Sequence, residues 1–126
     1  MSISKKKEKI LVVDDTPENL DVVKGILKED YTLFLAVNGN LALKIAKAQE
    51  PDLILLDIMM PEIDGYEVLR RLKQDEEINS IPVIFLTAKT EIEDERKGLE
   101  LGAVDYIMKP ISPPILLARI RTQLRL

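Results

Sequence analysis

The chain has 126 residues, enough for one domain with a real core, and 46% hydrophobic against 32% charged residues excludes a disordered protein. A net charge of −4 argues against a nucleic-acid footprint, and the absence of cysteine and histidine excludes disulfides, thiolate and imidazole catalysis, and most transition-metal sites. Any chemistry must rest on carboxylates, lysine, hydroxyls or a hard metal ion.

The basic cluster Lys5, Lys6, Lys7 and Lys9 is short and interrupted by Glu8, and residues 1–8 read as a flexible, solvated N-terminal segment rather than a binding arm. No apolar run reaches membrane-span length and no signal-peptide block precedes the lysines. A cytoplasmic protein that binds neither membrane nor nucleic acid is the expectation. The domain itself runs over residues 9–126.

Ile10 to Val13 is a short, continuous apolar run that ends in two adjacent carboxylates, Asp14 and Asp15. Thr16-Pro17 then reads as an N-cap with proline at the first helical position, and Leu20, Val23 and Leu27 share one helix face. Thr32 to Val37 is a weaker strand candidate, followed by a helix whose stripe is Leu41, Ala42, Ile45 and Ala46. Leu53 to Leu56 is the next continuous strand and ends at Asp57. The loop beyond it enters a third helix through Asp64-Gly65, with a stripe of Tyr66, Leu69 and Leu72 or of Gly65, Val68 and Leu72.

Val83 to Leu86 forms the fourth strand and ends at Thr87. The following helix, roughly residues 91–101, has only Ile92 and Leu99 as strong apolar anchors and contains Gly98, so it reads as marginal and held by its neighbours. Val104 to Met108 is a fifth strand candidate, ending at Lys109. Ser112-Pro113-Pro114 opens a last helix carrying Ile115, Leu116, Ile120 and Leu124. The chain stops inside that amphipathic pattern, which favours the front end of a longer protein.

Continuous rather than alternating apolar strands indicate burial on both faces, hence a parallel sheet in a single α/β domain of five β-α units. In such a sheet ligands bind beyond the carboxyl ends of the strands. That edge gathers Asp14, Asp15, Asp57, Thr87 and Lys109. Each residue alone has a plainer reading as a turn, cap or surface residue. Their coincidence at successive strand ends does not.

Three clustered carboxylates need a counter-charge to stay ionised near neutral pH. An all-oxygen set suits Mg2+, Mn2+ or Ca2+, and Mg2+ fits best where few protein oxygens are on offer. With Lys109 as a point charge and Thr87 as a donor, the set matches the needs of a phosphoryl group in transfer. Asp57, central and at the end of a strand, is the candidate nucleophile. Replacing Asp14 and Asp15 together by alanine is expected to abolish metal binding, leave the domain folded and even stabilise it by removing repulsion.

The stretches "VVDD", "LILLDIMMPEIDGYEVLRRL", "IPVIFLTA" and "GAVDYIMKP" together resemble the receiver domain of two-component response regulators, over nearly the whole chain. The resemblance implies a flavodoxin-like doubly wound (βα)5 sandwich, its five-stranded parallel sheet in the order 2-1-3-4-5. It implies that Asp57 accepts a phosphoryl group from a phosphohistidine on a sensor histidine kinase or histidine phosphotransfer protein. Mg2+, with Mn2+ as a substitute, is then held by Asp14, Asp15, Asp57 and the backbone carbonyl of Met59.

On the same footing Thr87 and Lys109 contact the phosphoryl oxygens, and Thr87 and Tyr106 form a switch in which Tyr106 turns from solvent to interior. The switch controls the fourth helix, fifth strand and fifth helix, the face for an output domain or partner protein, open also to homodimer formation. Lys109-Pro110 is expected to be cis. Met59 and Lys89 occupy the positions that tune hydrolysis, and neither orients water well, which implies a long-lived phosphoaspartate.

The expected protein is regulatory and not an enzyme in its own right, although it assists its own phosphorylation and dephosphorylation. Two alternatives remain: a Mg2+-dependent phosphohydrolase with an aspartyl nucleophile, and a non-phosphorylated pseudo-receiver acting as an interaction module.

Overall fold

The structure, a computed structural model, describes residues 6–88 and 92–125, the side chains of 92–95 excepted. Strands and helices alternate throughout: β1 (Lys9–Val13), α1 (Pro17–Leu27), β2 (Thr32–Ala36), α2 (Gly39–Gln49), β3 (Leu53–Asp57), α3 (Gly65–Gln74), β4 (Val83–Thr87), α4 (Ile92–Glu100), β5 (Asp105–Met108) and α5 (Pro113–Arg125). The strands form one parallel sheet in the order β2-β1-β3-β4-β5. This is the flavodoxin-like order that the resemblance implies.

The apolar strands are continuous because each residue packs into one of two cores. Leu11, Val13, Ile54, Leu56, Val83 and Phe85 face the core shared with Ala42, Ala46, Val68, Leu69 and Leu72 of α2 and α3. Ile10, Val12, Leu53, Leu55, Ile84 and Leu86 face the other, shared with Leu20, Val23 and Leu27 of α1 and Leu116 and Ile120 of α5. Alternation along each strand thus feeds both layers, and the sheet edge is left to the polar residues that follow.

Local details differ from the sequence reading. The second strand stops at Ala36 and the fifth starts at Asp105, leaving Val37 and Val104 exposed. In α3 the two candidate stripes merge: Gly65, Val68, Leu69 and Leu72 are buried, and Tyr66 is half-buried against the core. Leu99 of α4 is exposed and anchors nothing, while Gly98 is buried. The Ile92 side chain lies outside the described residues. Along α5, Leu116 and Ile120 are buried whereas Ile115 is exposed.

Helix starts follow side-chain chemistry. Asn38 Oδ1 accepts from the Leu41 N–H at 2.8 Å and Asp64 Oδ1 from the Glu67 N–H at 2.9 Å, each satisfying a donor the helix leaves unpaired. Thr16, expected to cap α1, makes no side-chain cap bond. Of the N-terminal segment, residues 1–5 lie outside the described residues, and the Glu8 carbonyl accepts from the Thr32 N–H at 2.9 Å. No helix among the described residues is long and apolar enough to cross a membrane.

Candidate functional site

Register brings the polar strand ends together. Val13 lies opposite Leu56, so Asp14 leaves β1 beside Asp57 at the end of β3. Asp57 in turn pairs with Leu86, and Thr87 pairs with Met108, so β4 and β5 end at the same edge. The Lys109 N–H donates to the Thr87 carbonyl at 2.7 Å and carries the ladder one residue further. Lys109-Pro110 is a cis peptide.

Carboxylate oxygens of Asp14, Asp15 and Asp57 all lie within 4.8 Å of one another. Asp14, Asp57 and Thr87 are the buried polar residues among those described, whereas Asp15 is exposed at the rim. The Lys109 ammonium donates to Asp14 Oδ2 at 2.7 Å and stands 3.6 Å from Asp57 Oδ1. One cation therefore bridges the two buried acids. Met59 is exposed just past Asp57, while its neighbours Ile58 and Met60 turn into the core. Lys89 lies outside the described residues.

Asp14 is better held than its sequence context indicates. Its Oδ1 accepts the Thr16 N–H at 2.9 Å and the Asn19 side-chain amide at 3.4 Å. The aspartate, not Thr16, thus organises the entry to α1, through a turn in which a side chain bonds the backbone two residues on. These bonds argue against the expectation that removing Asp14 and Asp15 stabilises the metal-free domain. Losing Asp14 strips the Thr16 N–H and the Asn19 amide of their acceptor and leaves Lys109 only its longer contact with Asp57, costs that offset the repulsion relieved. Asn19 escaped the sequence reading; its position in the first turn after a strand-end aspartate was the available signal.

Asp57 carries the strain of the arrangement. Burial, then the charge of Asp14, push its pKa from 3.8 up to about 6; Lys109 and the Ile58 N–H pull the other way, and Asp15 adds to the rise. Below it, α3 approaches as closely as backbone permits. The Gly65 N–H donates to the Ile58 carbonyl at 2.8 Å, and a β-carbon on residue 65 would collide with the Asp57 carbonyl oxygen. Only glycine fits there.

Three negative charges against one ammonium leave a deficit of two, in a pocket whose donors are all oxygen. These residues fit a hard divalent cation. Tyr106 is already half-buried, its ring edge-on to Phe85 with centroids 6.2 Å apart, and Phe85 meets Tyr66 likewise at 5.5 Å.

Comparison with known proteins bears on the same residues. A profile of the response regulator receiver domain matches residues 10–121. A probable cyclic di-GMP phosphodiesterase of Vibrio cholerae is 47% identical over 92% of this chain and 26% of its own length. The DNA-binding response regulator MtrA of Mycolicibacterium smegmatis is 41% identical over 94% of this chain and 51% of its own. The chain therefore spans about a quarter to about half the length of these relatives. Among solved structures, a putative response regulator of Chloroflexus aurantiacus superposes with a TM-score of 0.91 at 31% identity, covering 96% of this chain and 100% of that one.

Proposed function

Because the chain belongs to the response regulator receiver family of two-component systems, we propose that it takes a phosphoryl group from a phosphohistidine onto Asp57. The supporting observation is the bridge itself: buried Asp14 and Asp57 with Lys109 between them, and Asp15 alongside. An Asp57 carboxylate oxygen attacks phosphorus, the P–N bond breaks, and the donor imidazole leaves with the bonding electrons. Lys109 follows the charge that moves onto the phosphoryl oxygens, and the Thr87 hydroxyl donates to one of them.

Asp14, Asp15, Asp57 and the Met59 carbonyl would hold Mg2+, or Mn2+ in its place, which when bound neutralises and orients the phosphoryl oxygens. Added charge on Asp57 draws Thr87 inward, Tyr106 follows into the space beside β5, and the α4–β5–α5 face changes. Sensor histidine kinases or phosphotransfer proteins are the donors, and an attached output domain, a partner protein or a second receiver is the reader. The named relatives make cyclic di-GMP hydrolysis and DNA binding the two output classes to look for. Met59 and Lys89 stand at the hydrolysis-tuning positions, and neither is a residue type that readily orients an attacking water, so the phosphoaspartate is long-lived.

A phosphohydrolase of the aspartyl-nucleophile kind needs an acid two residues past the nucleophile, where Met59 stands, and is disfavoured. So is a pseudo-receiver, since every charged member of the set is present. Incubation with acetyl phosphate and Mg2+, followed by intact-mass measurement, separates the three. One added phosphoryl group that persists for minutes or longer, absent in Asp57→Asn, is the expected result. Steady hydrolysis of phosphomonoesters would favour the hydrolase, and no modification the pseudo-receiver.

A further inference from the structure

Glycine inside a helix weakens it relative to alanine, so Gly98 in the nine-residue α4 requires a reason. The reason lies beneath it. A β-carbon at residue 98 would stand 2.8 Å from Phe85 Cε2 and 2.9 Å from Cδ2, both too close, and 3.8 Å from Tyr106 Cε2, an ordinary contact. The bare Cα of Gly98 therefore lies directly on the Phe85 ring and beside that of Tyr106.

We propose that Gly98 is the seat of α4: its contact with Phe85 sets how close the helix lies to the sheet, and thereby the balance between the resting and phosphorylated arrangements of the α4–β5 face. The inference rests on the phosphoacceptor reading above and adds a positioning residue that acts through Phe85 and Tyr106.

Which partner yields decides the direction. Phe85 is fully buried in β4, an inner strand, and its ring is flanked edge-on by Tyr66 and Tyr106. It has nowhere to go. The helix is different: Arg96, Lys97, Leu99 and Glu100 are all exposed, and Lys97 reaches over the Tyr66 ring at 4.5 Å as a surface contact. Beside it a groove of about 570 Å³, lined by Met60, Ile63, Tyr66, Lys97 and Leu101 among others, separates α4 from α3. A methyl group on residue 98 therefore lifts α4 rather than displacing Phe85.

Lifting α4 raises the energy of the resting arrangement but not that of one in which α4 has already shifted. By linkage, a ligand that selects the shifted arrangement then binds more tightly by the same factor. Overpacking of this kind translates into about 5- to 150-fold tighter binding of beryllofluoride, a phosphoryl mimic, in the presence of Mg2+. In Phe85→Leu, where the ring is gone, the same substitution has no such effect.

The test compares wild type, Gly98→Ala, Phe85→Leu and the double variant by calorimetric titration with beryllofluoride, and by amide chemical shifts of α4 and β5 without ligand. The expected result is tighter binding by Gly98→Ala, its unliganded shifts lying part of the way toward those of bound wild type, and both effects lost in the double variant. Unchanged or weaker binding, shifts off that line, or effects that survive Phe85→Leu would overturn the proposal while leaving the phosphoacceptor reading intact. A wild type that ignores beryllofluoride overturns that reading and the coupling with it. Should Gly98→Ala fail to fold, recovery of folding in the double variant supports the contact and failure to recover overturns it.

Discussion

Replacing Asp57 by asparagine should make the metal-free domain more stable. The asparagine keeps the shape of the side chain, removes its charge and leaves Lys109 bonded to Asp14 at 2.7 Å. The carboxylate it replaces has its pKa raised from 3.8 to about 6, first by burial and then by Asp14. Unscreened, that shift corresponds to about 3 kcal/mol of destabilisation once the group is fully ionised. Exposed Asp15 and Met59 let water reach the rim of the crevice, and that screening reduces the figure to about 1–2 kcal/mol.

The pH dependence carries the sign. Below about pH 4 both folded and unfolded chains hold the Asp57 proton, and its raised pKa costs nothing. Between about pH 4 and 6 the unfolded chain has released the proton while the folded chain keeps it, so stability falls as pH rises. Above about pH 6 the loss is complete and constant. Thermal unfolding in EDTA should therefore give Asp57→Asn a midpoint about 3–8 °C above wild type at pH 7.5, a gap that closes toward pH 4. Millimolar Mg2+ should narrow the gap at pH 7.5 by stabilising wild type. An asparagine variant less stable than wild type in EDTA, or a gap indifferent to pH, would mean that the buried Asp57 charge does not destabilise the fold.

Asp14→Ala should destabilise the metal-free domain by about 1–3 kcal/mol in urea titrations, because the Thr16 N–H and Asn19 lose their acceptor and Lys109 keeps only its longer contact with Asp57; greater stability would show that repulsion dominates. Gly65→Ala should cost about 3 kcal/mol or prevent folding, since the new β-carbon meets backbone that cannot step aside. A neutral result by the same titration would place the start of α3 further from β3. Arg119→Ala, which removes an exposed ion pair with Asp105, should change stability by less than about 1 kcal/mol. A larger loss would mean that α5 depends on that pair.

The sheet was legible in the sequence for a physical reason: residues such as Leu53 to Leu56 are apolar without a break because both faces of the strand are covered. The same logic made Asp57, Thr87 and Lys109 visible, as polar residues where apolar runs stop. What stayed hidden depends on partners distant in sequence. Nothing local distinguishes Gly98 as a close-packed contact from a weak spot in a weak helix, because its partner Phe85 is on another element. Leu99 reads as an anchor by residue type, yet the turn of α4 points it outward. Asp14 reads as one of two equivalent repelling charges. Its three partners, one of them Lys109 across the sheet edge, make it unlike exposed Asp15.

Signalling by this domain turns on where phosphate lands and what it needs to land there. Treating the domain with acetyl phosphate, trapping the acyl phosphate by borohydride reduction and sequencing the peptides identifies the residue directly. Homoserine is expected at position 57 alone, formed with Mg2+ and lost in EDTA. Reduction at Asp14 or Asp15, or a product at residue 57 that forms equally well without metal, would contradict that expectation.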